Sequence, residues 1–252
     1  MSGSNDGRDD PTAFRLRGLE FSRLDAFSDV VFGFALTLLV VSLEVPKTFG
    51  ELMEAMRGFV PFAACFALLL LVWHGHYKFF RRYGLHDFYT IVLNMVLLFV
   101  VLFYVYPLKF LFTYLFNAVT GRIRAIDGPG AVLPTRQIPE LMIIYGLGFA
   151  TVFFIFVLLY RHALHSADDL DLNELERHDT KWSISENGLL VAIGLLSVLV
   201  AIVLPAGLSG LSGYAYFLIG IAMWVHGAAR GKSRRKLLER RARKSVDALP
   251  PV

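Results

Sequence analysis

The chain has 252 residues, 56% of them hydrophobic, a mean hydropathy of +0.55 and a formal net charge of only +4. A water-soluble chain of this length needs more polar side chains to cover its surface, so the soluble class is excluded and a lipid-embedded one remains. The lone Cys65 excludes an intramolecular disulfide.

Residues 1–14 are polar and rich in Gly, Ser and Asp. They carry no apolar core ahead of a small-residue cleavage site, so they read as a disordered tail and not as a signal peptide. The first membrane helix is then expected to act as an uncleaved targeting signal.

Crossing about 30 Å of hydrocarbon at 1.5 Å per residue takes about 20 apolar residues. Six segments qualify. The first runs from Ala26 to Val45 and stops at Pro46. The second covers Phe59 to Phe80 and ends in Trp73, His74, His76 and Lys78. The third runs from Phe88 to Phe110, is interrupted by Asn94 and ends near Pro107. The fourth is Leu141 to Tyr160. The fifth is Gly188 to Ala206, closed by Pro205, and the sixth is Leu211 to Ala229.

Six crossings place both termini on one side. That side holds nineteen of the twenty-five Lys and Arg residues, and the positive-inside bias makes it the cytoplasm. The expected organisation is a cytoplasmic tail over 1–22, a six-helix transmembrane domain over 23–229 and a basic cytoplasmic tail over 230–252. Residues 111–140, with Gly121, Gly128, Pro129, Gly130 and Pro134, read as an irregular outer connection. Residues 162–187, with Asp168, Asp169, Asp171, Glu174 and Glu176, read as a short amphipathic cytoplasmic helix. Nine basic residues in fifteen, Arg230 to Lys244, read as an anchor against anionic lipid and not as a nucleic-acid site. Gly207 to Gly213 reads as a tight turn between the last two spans.

The first segment carries the chemistry. Arg23-Leu-Asp-Ala-Phe27-Ser28-Asp29 stands at its mouth, and a charge inside the bilayer is costly, so Asp29 must face protein or water, with Arg23 or polar groups of another helix as partners. Phe34, Thr37 and Val41 share one helical face, flanked by Phe27 and Leu38. On a pore face the Thr37 hydroxyl replaces part of an ion's hydration shell and the apolar rings gate by excluding water. Periodicity alone favours a plainer arrangement, ordinary packing with Thr37 bonded to its own i−4 carbonyl. Trp73 and His76 share a face and, with Asn94, stand at the depth of Ser28 and Asp29. His74 and His76 point about 200° apart and cannot chelate one metal from one face. His162 and His165, followed by Asp168 and Asp169, have a spacing that a metal site or a plain juxtamembrane polar stretch would produce.

Arg23-x-x-x-Phe27-Ser28-Asp29, Thr37 within Phe-Ala-Leu-Thr-Leu-Leu, Trp73-x-x-His76-x-x-Phe79, Asn94 and Pro107 together resemble the transmembrane protein 175 family of potassium channels. The resemblance covers helices one to three. It implies an all-α, six-helix protein that assembles as a homotetramer in a prokaryotic plasma membrane. Helix one lines the pore, without a carbonyl filter. Phe34 forms the apolar constriction, Thr37 contributes to selectivity and Val41 adds a further ring. Arg23, Phe27, Ser28 and Asp29 join Trp73, His76 and Asn94 in an interhelical network near the cytoplasmic end. The family's constriction is usually Leu or Ile, so Phe34 puts a larger ring at the narrowest point. Potassium is implied as the permeant ion, with no cofactor and no enzymatic chemistry.

Two rival readings rest on other residues. A proton-coupled transporter or proton-permeable pathway would titrate Asp29 and His76, but the chain has neither the inverted repeat nor the interrupted helix expected of a transporter. A membrane metal enzyme would use His162, His165, Asp168 and Asp169.

Overall fold

The computed structural model describes residues 14–20, 22–41, 47–120, 134–205 and 208–247. These residues are all-helical: α1 (Arg23–Val41), α2 (Phe49–Arg57), α3 (Phe59–Tyr83), α4 (Phe88–Val119), α5 (Ile138–His165), α6 (Glu174–Val203) and α7 (Leu218–Asp247), with 3-10 turns at Thr135–Gln137 and Ser209–Phe217. Five helices, α1, α3, α4, α5 and α6, are long and apolar enough to cross a membrane.

Local chemistry sets the helix starts at one end of the bundle. Ser22 and Asp25 form a reciprocal cap on α1: the Ser22 hydroxyl accepts from Asp25 N (3.1 Å) and Asp25 Oδ2 accepts from Ser22 N (3.2 Å). Asp87 caps α4, accepting from Tyr89 N (3.0 Å) and Thr90 N (3.2 Å). Asn173 and Glu176 form a capping box on α6. At this same end α3 stops at Gly84, whose φ of 58° is a left-handed backbone that favours glycine.

Packing is organised by close approach and by aromatic rings. α5 and α6 make the most extensive helix pair. They approach at Gly146 and Gly194: a Cβ on Gly146 would lie 2.4 Å from Val198 Cγ2 and 3.0 Å from the Gly194 carbonyl oxygen. Small residues at such a crossing let two backbones touch where no hydrophobic drive separates helix from lipid. Tyr160 packs edge-on against Phe79 and Tyr83 at 5.3 and 5.9 Å and ties α5 to α3 within the core that also holds Leu39, Leu97 and Leu159.

Three expected boundaries are corrected. α4 does not end near Pro107 but continues to Val119, so the start of the outer connection is helical. Pro107 lacks the N–H that would bond the Phe103 carbonyl, a loss that membrane helices tolerate when packed against neighbours, and the Tyr145 hydroxyl of α5 donates to the Pro107 carbonyl and ties the two helices at this point. The acidic stretch forms no separate helix: residues 166–171 turn, and 174–187 are the first turns of α6, whose membrane-length apolar part begins at Gly188. The sixth apolar segment is divided between the 3-10 turn and the first turns of α7, because Gly and Ser at 209–213 are poor α-formers. The short helix α2 was not expected. Val45, Pro46, Ala206 and Gly207, and residues 121–133 of the expected outer connection, lie outside the described residues.

Candidate functional site

α1 has two faces. Ser28, Phe32, Ala35 and Leu39 are buried against α3 and α4. Phe27, Val30, Phe34, Thr37 and Val41 fall within a band about 80° wide on the opposite side, at about 100° per residue. Among the described residues of one chain this band is left largely uncovered: Phe34 is 55% exposed and Val41 70%. Thr37 Oγ1 donates to the Gly33 carbonyl (2.9 Å), the i−4 bond of the plainer arrangement. That bond uses the hydrogen and leaves the oxygen's lone pairs on the exposed side.

The buried face is held by a chain of polar bonds across three helices. Ser28 Oγ donates to the Leu24 carbonyl (2.8 Å), Asn94 Nδ2 donates to Ser28 Oγ (2.9 Å), and Asn94 Oδ1 lies 2.8 Å from His76 Nε2. Ser28, His76 and Asn94 are all buried. With Asn94 Oδ1 as acceptor, His76 carries its proton on Nε2. Beside this chain Trp73 Nε1 donates to Asp29 Oδ1 (2.8 Å). The structure therefore brings together Ser28, Asp29, Trp73, His76 and Asn94.

Two expected members stand apart. Arg23 does not pair with Asp29; six residues separate them, which puts them about 120° apart around α1, and Asp29 takes Trp73 instead. Phe27 stands on the exposed band with Phe34, seven residues away, and not in the polar chain. Between α1, α3 and the segment before α1 lies a cavity of about 100 Å³ onto which Glu20, Asp25, Asp29 and His76 open.

The alternative metal-site reading of His162, His165, Asp168 and Asp169 finds other partners for two of these groups. His162 Nε2 bonds Asp87 Oδ2 (3.0 Å) and its ring packs on Tyr89, while Asp168 is taken by Arg177. Among the described residues no three His, Cys, Asp or Glu groups converge as metal ligands.

Sequence reasoning missed the strap that leads into α1. Residues 14–20 cross the same end of the bundle. Phe14 packs on Tyr83 and lies under the Arg82 guanidinium (4.8 Å). Arg15 N and Arg17 Nη2 both donate to the Glu176 carboxylate (2.9 Å each). Gly18 N donates to the Arg81 carbonyl, and a Cβ there would sit 2.3 Å from the Phe80 carbonyl oxygen, so only glycine fits. Burial pushes the Glu176 carboxyl up, but the bonds from Arg17, Asn173 N and Arg15 outweigh it and hold the group down at about 2. Asp87 is likewise held at about 2, its burial outweighed by bonds from Thr90 and His162. The capping pattern Asn173-x-x-Glu176 was a readable signal for the acid; nothing local signalled its two arginine partners.

The chain is similar to known proteins. Residues 23–104, the stretch from α1 into α4 that contains the whole polar chain, match the family model described as the endosomal/lysosomal potassium channel TMEM175. A potassium channel of Marivirga tractuosa is 42% identical over 232 residues, covering 90% of this chain and 94% of the relative. A potassium channel of Chamaesiphon minutus is 29% identical over 168 residues, 64% of this chain and 73% of the relative. A crystal structure of a variant of the potassium channel MtTMEM175, in complex with a nanobody–MBP fusion protein, superposes with a TM-score of 0.76 at 40% identity over 92% of this chain and 100% of that one.

Proposed function

Because the chain belongs to the TMEM175 potassium-channel family, whose members conduct ions passively and are not enzymes, we propose that four copies surround an axis lined by α1 and pass potassium in preference to sodium. One observation carries this reading: the Phe27–Val41 band of α1 is apolar but for Thr37, left uncovered by the described residues of one chain and opposite the face anchored by Ser28 and Asn94. A lone Thr37 in an apolar stripe suits an axis of symmetry, where one threonine per copy yields a ring of oxygens.

In the assembly Phe34 is the hydrophobic gate, Thr37 the selectivity ring and Val41 a second constriction. The buried bonds of Ser28, Asn94 and His76, with Trp73 on Asp29, fix the rotation of α1 and so the direction in which Phe34 points. The multi-pass chain crosses the plasma membrane six times with both termini cytoplasmic. The sixth crossing combines the 3-10 turn and the apolar start of α7, about 36 Å at 2.0 and 1.5 Å per residue. Potassium and sodium flux from liposomes holding the purified full-length protein tests the reading. Potassium flux that exceeds sodium flux is expected, and no flux of either ion would refute it.

A further inference from the structure

α7 continues as one helix from an apolar start, Leu218 to Ala229, into a basic half. The cations of that half divide into two sets. Arg230 and Arg234 reach the buried Asp179 carboxylate at 3.4 and 3.5 Å, and Arg241 reaches Glu174 at 3.5 Å. Spaced i, i+4 and i+11, these three share one face and fasten α7 to α6. Lys232, Arg235 and Lys236, with Arg243 further on, are exposed on the opposite face. None of these four forms an ion pair with another described residue. Glu239 is the one acid between Leu218 and Arg243.

The outward cations continue a stripe that begins in the apolar half. Ile221, Trp224 and Val225 are exposed in the same band, about 120° wide at 100° per residue. Trp224 is 76% exposed, the placement of an interfacial aromatic. From Val225 to Lys232 the helix rises about 10 Å. A bilayer passes from hydrocarbon through its headgroups in about 5–8 Å per leaflet. The long stems of Lys232, Arg235 and Lys236 can reach back across the remainder.

We infer that this outer face of α7 binds acidic phospholipid headgroups, with Lys232, Arg235 and Lys236 as the phosphate-contacting cations and Arg230, Arg234 and Arg241 as structural ones. A second copy of the same face is a poor alternative occupant, since like charges would meet. The inference rests on the sixth crossing proposed above and not on the pore.

The test uses full-length protein in phosphatidylcholine vesicles that contain a minority of phosphatidylglycerol. The fraction of spin-labelled phosphatidylglycerol immobilised by the protein is compared with that of spin-labelled phosphatidylcholine. Wild type should prefer the glycerol lipid, and the preference should shrink with added salt as screening shortens. Each surface cation is worth up to about fivefold, so the triple variant Lys232→Gln, Arg235→Gln, Lys236→Gln should lose most of it. Arg240→Gln, further from the membrane and outside this face, should keep most of it. Equal immobilisation of both lipids by wild type, or a triple variant with undiminished preference, overturns the inference. If the triple variant does not assemble, a wild-type preference unchanged by high salt overturns it instead. Potassium flux measured separately in neutral vesicles reports on the pore reading without touching this one.

Discussion

Trp73 Nε1 donates to Asp29 Oδ1 at 2.8 Å, joining α3 to the mouth of α1 across 44 residues of sequence. The bond gives the carboxylate a fixed partner at the edge of a membrane-length apolar run, where an unpaired charge is costly. Hydrogen bonds to charged groups are worth about 1.5–3 kcal/mol. Trp73→Phe, which keeps the ring and loses the donor, should lower thermal stability by about that amount, read as a fall in melting temperature in detergent. Asp29→Asn keeps the acceptor oxygen and should cost less than Asp29→Ala. Equal losses for the two Asp29 variants would mean that the Trp73 bond contributes nothing.

The Ser28–Asn94–His76 chain predicts a different balance between stability and function. Interhelical polar bonds in membranes average about 0.6 kcal/mol and reach about 1.7. Asn94→Ala should therefore lower stability by at most about 2 kcal/mol while it releases the rotation of α1 and changes potassium flux severalfold. A variant that melts as wild type and conducts as wild type would remove the anchoring role.

Thr37 should matter through its oxygen. Its hydrogen is committed to the Gly33 carbonyl, so its lone pairs are what a cation would meet. Thr37→Ser should retain the potassium-over-sodium flux ratio and Thr37→Ala should reduce it, with total flux the lesser effect. A ratio unchanged in Thr37→Ala would assign selectivity elsewhere.

Acid should loosen the end of the bundle that carries the strap. Glu176 and Asp87 are both held at about 2 in the folded protein, against about 4 in an unfolded chain. A depressed carboxyl stabilises fully above its unfolded value and loses that stabilisation as pH falls through the folded one. Melting temperature should fall between about pH 4.5 and 2. Glu176→Gln should melt lower than wild type at neutral pH and show a shallower decline in that window. An identical acid profile in the variant would exclude the Arg15–Arg17–Glu176 contact as its source.

Much of this architecture was legible as hydrophobic length. Each of the five apolar helices α1, α3, α4, α5 and α6 coincides with a segment long enough to cross hydrocarbon. Ser28, Asp29, Trp73, His76 and Asn94 could be grouped because polar side chains at one depth in a membrane must find one another. Illegible were features set by partners distant in sequence. Pro107 looked like a terminator because the packing of α5 on this part of α4, marked by the Tyr145 hydroxyl on the Pro107 carbonyl, comes from residues 38 positions later. Residues 162–187 looked like a separate helix because charge alone does not show that α6 projects past the membrane to receive Arg15, Arg17 and Arg230. Phe27 was grouped with the polar chain through the family motif it shares with Ser28 and Asp29, while the 3.6-residue repeat already put it beside Phe34.

The central claim is that Phe34, on the exposed band of α1, closes an ion path around a symmetry axis. Potassium flux from liposomes reconstituted with equal amounts of wild type, Phe34→Ala and Phe34→Asn tests it most directly. Smaller or wettable side chains at the constriction should raise flux at least severalfold, with Phe34→Asn passing sodium as well. Flux unchanged in both variants, with the protein still assembled, would place Phe34 against lipid and contradict the account.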